Sequence, residues 1–387
     1  MESQNHYYGH SAAFALYLGL PAPRHVRGLV QHGWTAVSPL GTHFRDFPRI
    51  GAPDGPADRR LLVWSHRSRA WDPASADRAS VPIGAPWLYL CSALGTLDAR
   101  SAPRDGAVDG AVDGADGSSE DGARTGAGTG AGTHGTVILP VHGIATQRLQ
   151  GDHRAVAREW ARTEGPSTVC LYHVEARDPD VVTAYVDAGH TCVTLGERTD
   201  PAFLGRLHTL LTGAERVVSN RLSTPVVYAA ALGIDTAVHG DGMALEGEDP
   251  QALARVRALW PEMHDDSVPL ADRRAVAADE LGLASLREPD ELVHLLGWDR
   301  TLRVGPWWQH WVSAPASRAV TTVRRRRGAA GDPGPTTAPT AAGPTAGALS
   351  ATRFLVAAAS YLPHPIGRVI RPGAPLPVVV PRTDPAR

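Results

Sequence analysis

Residues 213–242 read GAERVVSNRLSTPVVYAAALGIDTAVHGDG, and this stretch decides the fold of the chain. The apolar run at 216–219 predicts a strand. Pro225 fits the first turn of a following helix, with Ser223 or Thr224 as its N-cap. Gly233 ends that helix, and Ile234–Val238 predicts a second strand. A strand, a helix and a strand in this order are typical of parallel sheets, whose strand ends carry polar loops.

The same alternation of short apolar strands and helices extends over residues 136–242. It predicts a parallel, doubly wound sheet. The other predicted strands are Thr136–Pro140, Thr168–His173 and Thr191–Leu195. The predicted helices are Asp152–Arg162, Pro179–Ala188, Pro201–Leu211 and Pro225–Leu232, and beyond residue 245 they are Pro250–Trp260, Leu270–Leu281 and Pro289–Leu296.

The pattern of residues 1–98 predicts a smaller α/β domain. Its predicted elements are a helix at Ser11–Leu20 and strands at Val26–Val30, Leu61–Trp64 and Val81–Ile83. The fold class is therefore predicted to be α/β, with two Rossmann-like doubly wound domains. The tract at 99–135 is rich in Gly, Ala and Asp, cannot bury a core, and predicts a disordered linker. The second domain is assigned to 136–300, a Trp-containing segment and a second disordered tract to 301–350, and a returning helix with a tail to 351–387.

The composition excludes several classes of function. The 387 residues carry a net charge of −2, so no basic excess is available to bind nucleic acid. All 38 basic residues are arginines, which excludes a lysine Schiff base and a P-loop lysine. Three cysteines provide neither a zinc motif nor a disulfide framework, and we expect them to be buried. H-E-x-x-H and G-x-S-x-G are absent, so we expect no metal and no serine hydrolase.

The N-terminus has no basic region before its short apolar stretch, so it does not resemble a signal peptide. No apolar run reaches the ~20 residues that a membrane-spanning helix needs. We therefore expect a cytoplasmic protein.

Polar side chains follow each predicted strand of the second domain. Because parallel strands share their carboxyl ends, these residues meet at one edge and predict a nucleotide crevice. Helix N–H groups and hydroxyls suit phosphate, an arginine or histidine neutralises it, and a carboxylate accepts ribose hydroxyls. The predicted nucleotide-binding residues are His142, Glu197, Arg198, Ser219, Asn220, Ser223, Thr224 and Asp241. The alternative is an ordinary capped βαβ unit, since Ser and Thr caps are common.

Two histidines of the first domain are candidate catalytic bases. His32 follows the first predicted strand, in QHGW at 31–34, and is expected to face the cleft between the domains. A neutral imidazole there would take the proton of an acceptor hydroxyl. His10, in YYGHS at 7–11, is the second candidate. For His32 the alternative is a histidine that only packs or caps.

The stretch RVVSNRLSTPVVYAAALGIDTAVHGD at 216–241 resembles the late βαβ unit of GT-B glycosyltransferases. Within that class the chain looks closest to bacterial capsule enzymes, namely polysialyltransferase-like proteins and teichoic-acid-type polymerases. The QHGW turn at 31–34 is similar to a His-Gly turn of the latter. The resemblance covers residues 26–98 and 136–242. It departs at Val141-His142, where a His-Pro is usual, and the usual acidic ribose-binding residue has no clear match.

The resemblance implies a nucleotide-sugar-dependent glycosyltransferase, or a related transferase, of surface-polysaccharide assembly. Its acceptor would be a glycan or a polyol phosphate on the side of the first domain, and the nucleotide sugar would be a substrate, with no further cofactor. The resemblance also implies peripheral association with membrane-bound machinery. Two alternatives remain open, a catalytically silent nucleotide-binding or scaffold protein of the same fold, and an epimerase.

Overall fold

The computed structural model describes residues 2–21, 23–24, 26–39, 60–72, 80–99, 135–143, 148–299 and 376–379. In this part of the chain the strands are β1 (Leu29–Val30), β2 (Leu61–Val63), β3 (Ser80–Pro82), β4 (Thr136–Ile138), β5 (Leu149–Gln150), β6 (Thr168–Leu171), β7 (Thr191–Thr194), β8 (Arg216–Ser219), β9 (Asp235–Val238) and β10 (Ala244–Leu245). The eight predicted strands are confirmed, with ends that match exactly or differ by up to three residues, and the short strands β5 and β10 were not predicted.

The helices in the same part of the chain are α1 (His10–Tyr17), α2 (Pro86–Ala93), α3 (Thr96–Ala99), α4 (His153–Thr163), α5 (Pro179–Asp187), α6 (Phe203–Thr212), α7 (Thr224–Ala231), α8 (Ala252–Leu259), α9 (Leu270–Leu281) and α10 (Pro289–Leu296). Eight of these ten helices lie close to predicted positions, whereas α2 and α3 were not predicted. Local chemistry explains several of their starts. The Asp152 carboxylate accepts the backbone N–H groups of Arg154 and Ala155 at the start of α4, and Pro179 occupies the first turn of α5.

Strands β4, β6, β7, β8 and β9 form a five-stranded parallel sheet in the order β7-β6-β4-β8-β9. The chain enters at the central strand β4, moves outward through β6 to β7, and then crosses to β8 on the other side of β4. The direction of winding therefore reverses between β4 and β8. In open parallel sheets, the crevice outside the carboxyl ends of the strands at such a reversal is where ligands bind.

Helices cover both faces of this sheet. Val217 of β8 belongs to one apolar cluster together with Leu204 of α6. The next residue, Val218, faces the other way and belongs to a second cluster together with Trp160 of α4. Side chains alternate along a strand, so a strand buried on both faces reads as a continuous apolar run. This explains why β8 has no polar residue between Arg216 and Ser219.

The first sheet has the order β1-β2-β3, and its pairs are also parallel. Its core includes Val30 and Leu62 from the strands and Leu292 and Leu296 from α10. The chain thus returns to the first sheet before residue 300, a crossing that the sequence analysis did not foresee. The chain is a mixed α/β protein with parallel sheets. Its first sheet has three strands among the described residues, so two doubly wound domains stay a prediction.

Aromatic packing joins the two sheets. Trp87 of α2 stacks on Tyr228 of α7, with ring centroids 4.6 Å apart and planes inclined by 6°. Trp64, which follows β2, lies 5.9 Å from the same tyrosine ring. These residues belong to one apolar cluster that includes Leu204 of α6. At this junction the two sheets therefore share a core.

Residues 376–379 pair with the edge strand β7. Val378 forms an antiparallel bridge with Val193, and the N–H of Val379 donates to the Cys192 carbonyl at 2.8 Å. This pairing covers part of an edge that would otherwise expose backbone N–H and C=O groups.

Several predicted segments lie outside the described residues. They are most of the linker at 99–135, the Trp-containing segment and second tract at 301–350, and the returning helix at 351–362. Among the helices that are described, none combines the length and apolarity required to cross a bilayer.

Candidate functional site

A pocket of about 200 Å³ opens at the carboxyl edge of the five-stranded sheet. It lies beyond the paired strands β4 and β8, between which the winding direction reverses. Its lining comes from β6, from the segments that follow β4, β6, β7 and β8, from the start of α6 and from β10. These residues are Leu139, Pro140, Val141, His142, Cys170, Leu171, Tyr172, Leu195, Gly196, Phe203, Arg221, Leu222, Ser223, Pro225 and Leu245.

The pocket has an apolar floor and an aromatic wall. The His142 imidazole stacks on the Tyr172 ring, with centroids 4.0 Å apart and planes inclined by 21°. His142 is exposed, and its Nδ1 lies 2.9 Å from the Gly143 carbonyl oxygen. The predicted residue His142 therefore lines the pocket, and the sequence analysis missed Tyr172 beside it.

Ser223 and Thr224 have different roles at the start of α7. Ser223 is the N-cap, but its side chain makes no capping hydrogen bond, and it lines the pocket. The Thr224 hydroxyl accepts the backbone N–H of Trp34 at 3.0 Å, across the junction between the sheets. The Ser223 hydroxyl is thus available to a ligand at a helix N-terminus, whereas the Thr224 hydroxyl already holds the loop after β1.

Ser219 and Asn220 hold loops together instead of facing the pocket. The buried Ser219 hydroxyl donates to the Leu139 carbonyl at 2.6 Å. The Asn220 side chain accepts the Val141 N–H at 2.7 Å and donates to the Asp241 carbonyl at 2.7 Å. These bonds fix the segments after β4 and β9 against β8, so both side chains set the shape of the pocket.

Arg221 lies within residues 213–242, but it was not among the predicted nucleotide-binding residues. Its guanidinium forms a bidentate pair with Glu248, at 2.6 and 2.8 Å, and also donates to the Gly242 carbonyl at 2.6 Å. The hydrogen bond from Arg221 lowers the pKa of Glu248. This cation is therefore neutralised internally, and its contribution to the pocket is mainly packing.

The two predicted carboxylates do not reach the pocket lining. Glu197 forms an exposed ion pair with Arg177 at 2.5 Å. Asp241 is exposed, and its carboxylate accepts the Met243 N–H at 2.8 Å. Neither residue is among those that line the pocket, and both carboxylates already have partners.

Arg198 lies beside the N-terminal segment of the chain. Its guanidinium carbon sits 4.6 Å from the centroid of the Tyr7 ring, and its carbonyl accepts the Tyr8 N–H at 2.6 Å. The side chain is exposed, and no described carboxylate forms an ion pair with it. Tyr8 in turn packs edge-on against the pocket residue Phe203, with centroids 5.0 Å apart.

His32 and His10 both lie at the junction between the two sheets. His32 is half-buried in the loop after β1, and a Cβ added to the next residue, Gly33, would lie 3.4 Å from the Thr224 hydroxyl oxygen. His10 is 1% exposed and contacts the rings of Tyr8 and Trp64. Burial, with a smaller contribution from nearby His32, lowers the pKa of His10 to about 3. His10 is therefore neutral at physiological pH.

A buried carboxylate positions the loop that carries His32. Glu280 of α9 is 3% exposed. It accepts hydrogen bonds from the indoles of Trp34, at 3.0 Å, and Trp260, at 2.7 Å. It also accepts the Ser68 hydroxyl at 2.7 Å and the Arg69 backbone N–H at 2.8 Å. Four donors from three segments thus satisfy one buried anion, and they tie the loops after β1 and β2 to α9.

Glu175 is a second buried carboxylate, close to the pocket. One oxygen accepts the Gly143 N–H at 2.7 Å, and the other has no hydrogen-bond partner among the described residues. Burial raises the pKa of Glu175. It follows β6, where Rossmann folds often place the ribose-binding acid, but here it holds the loop after β4.

The three cysteines are buried and form no disulfide among the described residues. Burial raises the pKa of Cys170 to about 12 and that of Cys192 to about 11, so both remain thiols. Within the described ranges, His, Cys, Asp and Glu side chains form no group of three that could hold a metal ion.

Comparison with family models, with curated proteins and with solved structures gives no match to this chain.

Proposed function

We propose that this chain is a nucleotide-sugar-dependent glycosyltransferase or a related transferase. The second sheet would bind the nucleotide, and the first sheet would present the acceptor to His32. The observation that carries the proposal is the position of the pocket, at the reversal point of a parallel sheet and beside the start of α7. A volume of about 200 Å³ suits one ring of the ligand, so the remainder would extend along the junction between the sheets.

The start of α7 supports a phosphate contact. Ser223 makes no side-chain capping bond and lines the pocket, and the first turn of the helix supplies the N–H groups of Thr224 and Val226, since Pro225 has none. A helix N-terminus carries partial positive charge and binds anions through these groups. The stacked rings of His142 and Tyr172 would pack against a base or a sugar ring in the apolar part of the pocket.

In this proposal His32 takes the proton of the acceptor hydroxyl as the hydroxyl oxygen attacks the anomeric carbon of the donor sugar, and the bond from that carbon to the phosphate oxygen breaks, so the nucleotide leaves. An imidazole at this position is held close to α7, because Trp34 in the same loop is bonded to Thr224 and to Glu280. His10, the second candidate, is buried and neutral, which favours a role in packing or orientation over proton exchange with solvent.

The finer architecture belongs to the same proposal. Two Rossmann-like domains in a GT-B arrangement would account for two parallel sheets whose polar strand ends meet at one junction. The return of α10 to the core of the first sheet is compatible with that arrangement. A role in surface-polysaccharide assembly, in the cytoplasm beside membrane-bound machinery, has the sequence resemblance as its support.

A catalytically silent nucleotide-binding protein is the second candidate, and specific contacts favour it. Four of the groups expected to bind phosphate or ribose, in Ser219, Asn220, Thr224 and Asp241, already form internal hydrogen bonds. Side chains that are hydrogen-bonded to the protein's own loops are less available to bind a substrate or a transition state.

Thermal shift and calorimetry with CMP, UDP, GDP and CDP test the binding step. Transfer assays with the matching nucleotide sugars then separate the two candidates. Replacing His32 with Ala should lower turnover ~10²-fold or more and leave nucleotide affinity intact, because proton transfer assists only the transition state. Wild-type turnover in His32→Ala would place the base elsewhere. Binding without turnover in the wild type would favour the silent protein.

A further inference from the structure

The N-terminal segment 2–9 bridges the two sheets and ends at the pocket wall. Asn5 mimics a strand neighbour for β1, since its side chain donates to the Gly28 carbonyl at 3.1 Å and accepts the Val30 N–H at 2.8 Å. At the other end, the Tyr8 N–H donates to the Arg198 carbonyl at 2.6 Å. The segment therefore fixes Arg198 relative to the first sheet.

Tyr8 is held in a backbone conformation that tyrosine rarely adopts. Its φ is 58°, in the left-handed region, and that of Gly9 is 78°. A Cβ on Gly9 would collide with the Pro201 carbonyl oxygen, so the close approach requires glycine. Bulky residues with positive φ persist where the surroundings fix them, and they cluster at functional sites. This backbone conformation of Tyr8 goes with the placement of its ring against Phe203, which lines the pocket.

Tyr172 and Arg198 follow neighbouring strands at the same edge of the sheet. Tyr172 directly follows β6, which pairs with β7 through Leu171 and Thr194, and Arg198 follows β7. The Tyr172 side chain lines the pocket. The Arg198 guanidinium, stacked on Tyr7, has no carboxylate partner in this part of the chain. A phenol of the pocket lining and a cation without a carboxylate partner therefore occur at adjacent strand ends.

Arg198 and Ser223 lie at different strands of the sheet edge. Arg198 follows β7 and Ser223 follows β8, and β6 and β4 separate those strands. Three strand spacings of about 4.8 Å place the ends of β7 and β8 roughly 14 Å apart, and Tyr172, after β6, lies between them. The Tyr7 ring and the Tyr8 N–H hold Arg198 on the β7 side. A ligand that reaches both Arg198 and Ser223 would therefore contact them with different groups.

We propose that Tyr172 and Arg198 form an oxyanion-binding subsite at the β6–β7 side of the pocket, separate from the phosphate position at Ser223. Its ligand is a phosphate or carboxylate group, which accepts the Tyr172 O–H and pairs with the guanidinium. The subsite rests on the proposed function, because the phosphate or carboxylate group is assigned to the same ligand as the nucleotide.

Calorimetry with inorganic phosphate and with acetate tests the subsite without a nucleotide. We expect wild-type protein to bind one of these anions, and the preferred one identifies phosphate or carboxylate as the source. Arg198→Gln should weaken that binding at least tenfold and Tyr172→Phe severalfold. Arg177→Gln is the matched control, because it removes a neighbouring exposed arginine that is already paired with Glu197. Its affinity should equal that of the wild type.

The subsite is overturned if wild-type protein binds neither anion, or if Arg198→Gln binds as tightly as wild type. Titration of nucleotides into the same variants separates the two proposals. Nucleotide binding that depends on Ser223 and ignores Arg198 and Tyr172 would leave the proposed function intact and contradict the subsite. Anion binding that depends on Arg198, in a protein that binds no nucleotide, would support the subsite and contradict the proposed function.

Discussion

At the scale of single residues, side chains of one chemical type have different tasks at the same sheet edge. Ser219 and Thr224 use their hydroxyls to join segments, whereas the Ser223 hydroxyl faces the pocket. Composition and spacing predict that hydroxyls collect at strand ends, but the choice between them depends on partners up to 190 positions away in sequence. A pocket at this sheet edge could therefore be predicted, and the role of each hydroxyl could not.

Separate substitutions at Ser223 and Thr224 should distinguish these roles. Ser223→Ala should weaken nucleotide binding about 5- to 30-fold, through the loss of about 1–2 kcal/mol, and barely change stability. Thr224→Val keeps the side-chain shape but leaves the Trp34 N–H unpaired, so it should lower the free energy of unfolding by about 1–2 kcal/mol. Calorimetry and urea unfolding measure the two effects. The reverse pattern would contradict the assigned roles.

His10 should make stability depend on pH. Its pKa is about 3 in the folded chain, against an ordinary value of 6.5, because it is buried. Between these two pH values His10 binds a proton in the unfolded chain and stays neutral in the folded chain. The contribution of His10 to the free energy of unfolding is therefore complete above pH 6.5. It is lost as the pH falls toward 3, by up to ~1.4 kcal/mol per pH unit.

Urea unfolding of wild type and His10→Leu between pH 4 and pH 7 measures this contribution. The difference between the two slopes isolates His10, since the other histidines titrate in both proteins. We expect wild type to lose stability more steeply with acid than His10→Leu does. Equal slopes would mean that His10 can be protonated in the folded state.

At the scale of elements, local patterns predict where strands and helices lie, and long-range contacts decide how they meet. The strand Arg216–Ser219 and the helices Leu270–Leu281 and Pro289–Leu296 occur at the predicted residues, because apolar periodicity, proline and glycine mark their ends. The packing of Pro289–Leu296 against the first sheet could not be predicted, since the apolar face of a helix does not indicate which element it contacts.

Glu280 connects elements in a way that no local signal indicates. Replacing it with Leu would leave four donors, two of them indoles, without this buried acceptor. We expect a loss of at least about 3 kcal/mol in the free energy of unfolding. Glu262→Gln is the control, because that carboxylate pairs with Arg69 near the surface and should cost within about 1 kcal/mol. Equal losses for the two variants would show that the Glu280 bonds do not stabilise the junction.

At the scale of the whole molecule, one apolar cluster joins strands of the second sheet to α1, α2 and Trp64 after β2, and it includes the stacked pair Trp87 and Tyr228. The ligand pocket and the loop of His32 therefore belong to one packed junction, and the linker joins parts that also pack directly. The Gly/Ala/Asp composition of residues 101–135 predicts no contribution to this core.

Deleting residues 104–132 should therefore leave the melting temperature nearly unchanged, because the deleted tract has almost no apolar side chain larger than valine. Scanning calorimetry of the deletion variant beside the full chain measures this. A large fall in the melting temperature would mean that the tract packs against the rest of the protein.

We expect a nucleotide to bind in the pocket beyond the carboxyl ends of β4 and β8. Calorimetric titration of UDP, GDP, CDP and CMP into the wild type and into Ser223→Phe tests this, because a phenyl ring at Ser223 would occupy the pocket, whereas the residue lies outside the sheet. At least one nucleotide should bind the wild type with one-to-one stoichiometry, and Ser223→Phe, folded and equally stable, should not bind it. If no nucleotide binds the wild type, or if Ser223→Phe binds with the same affinity, the pocket is not a nucleotide site.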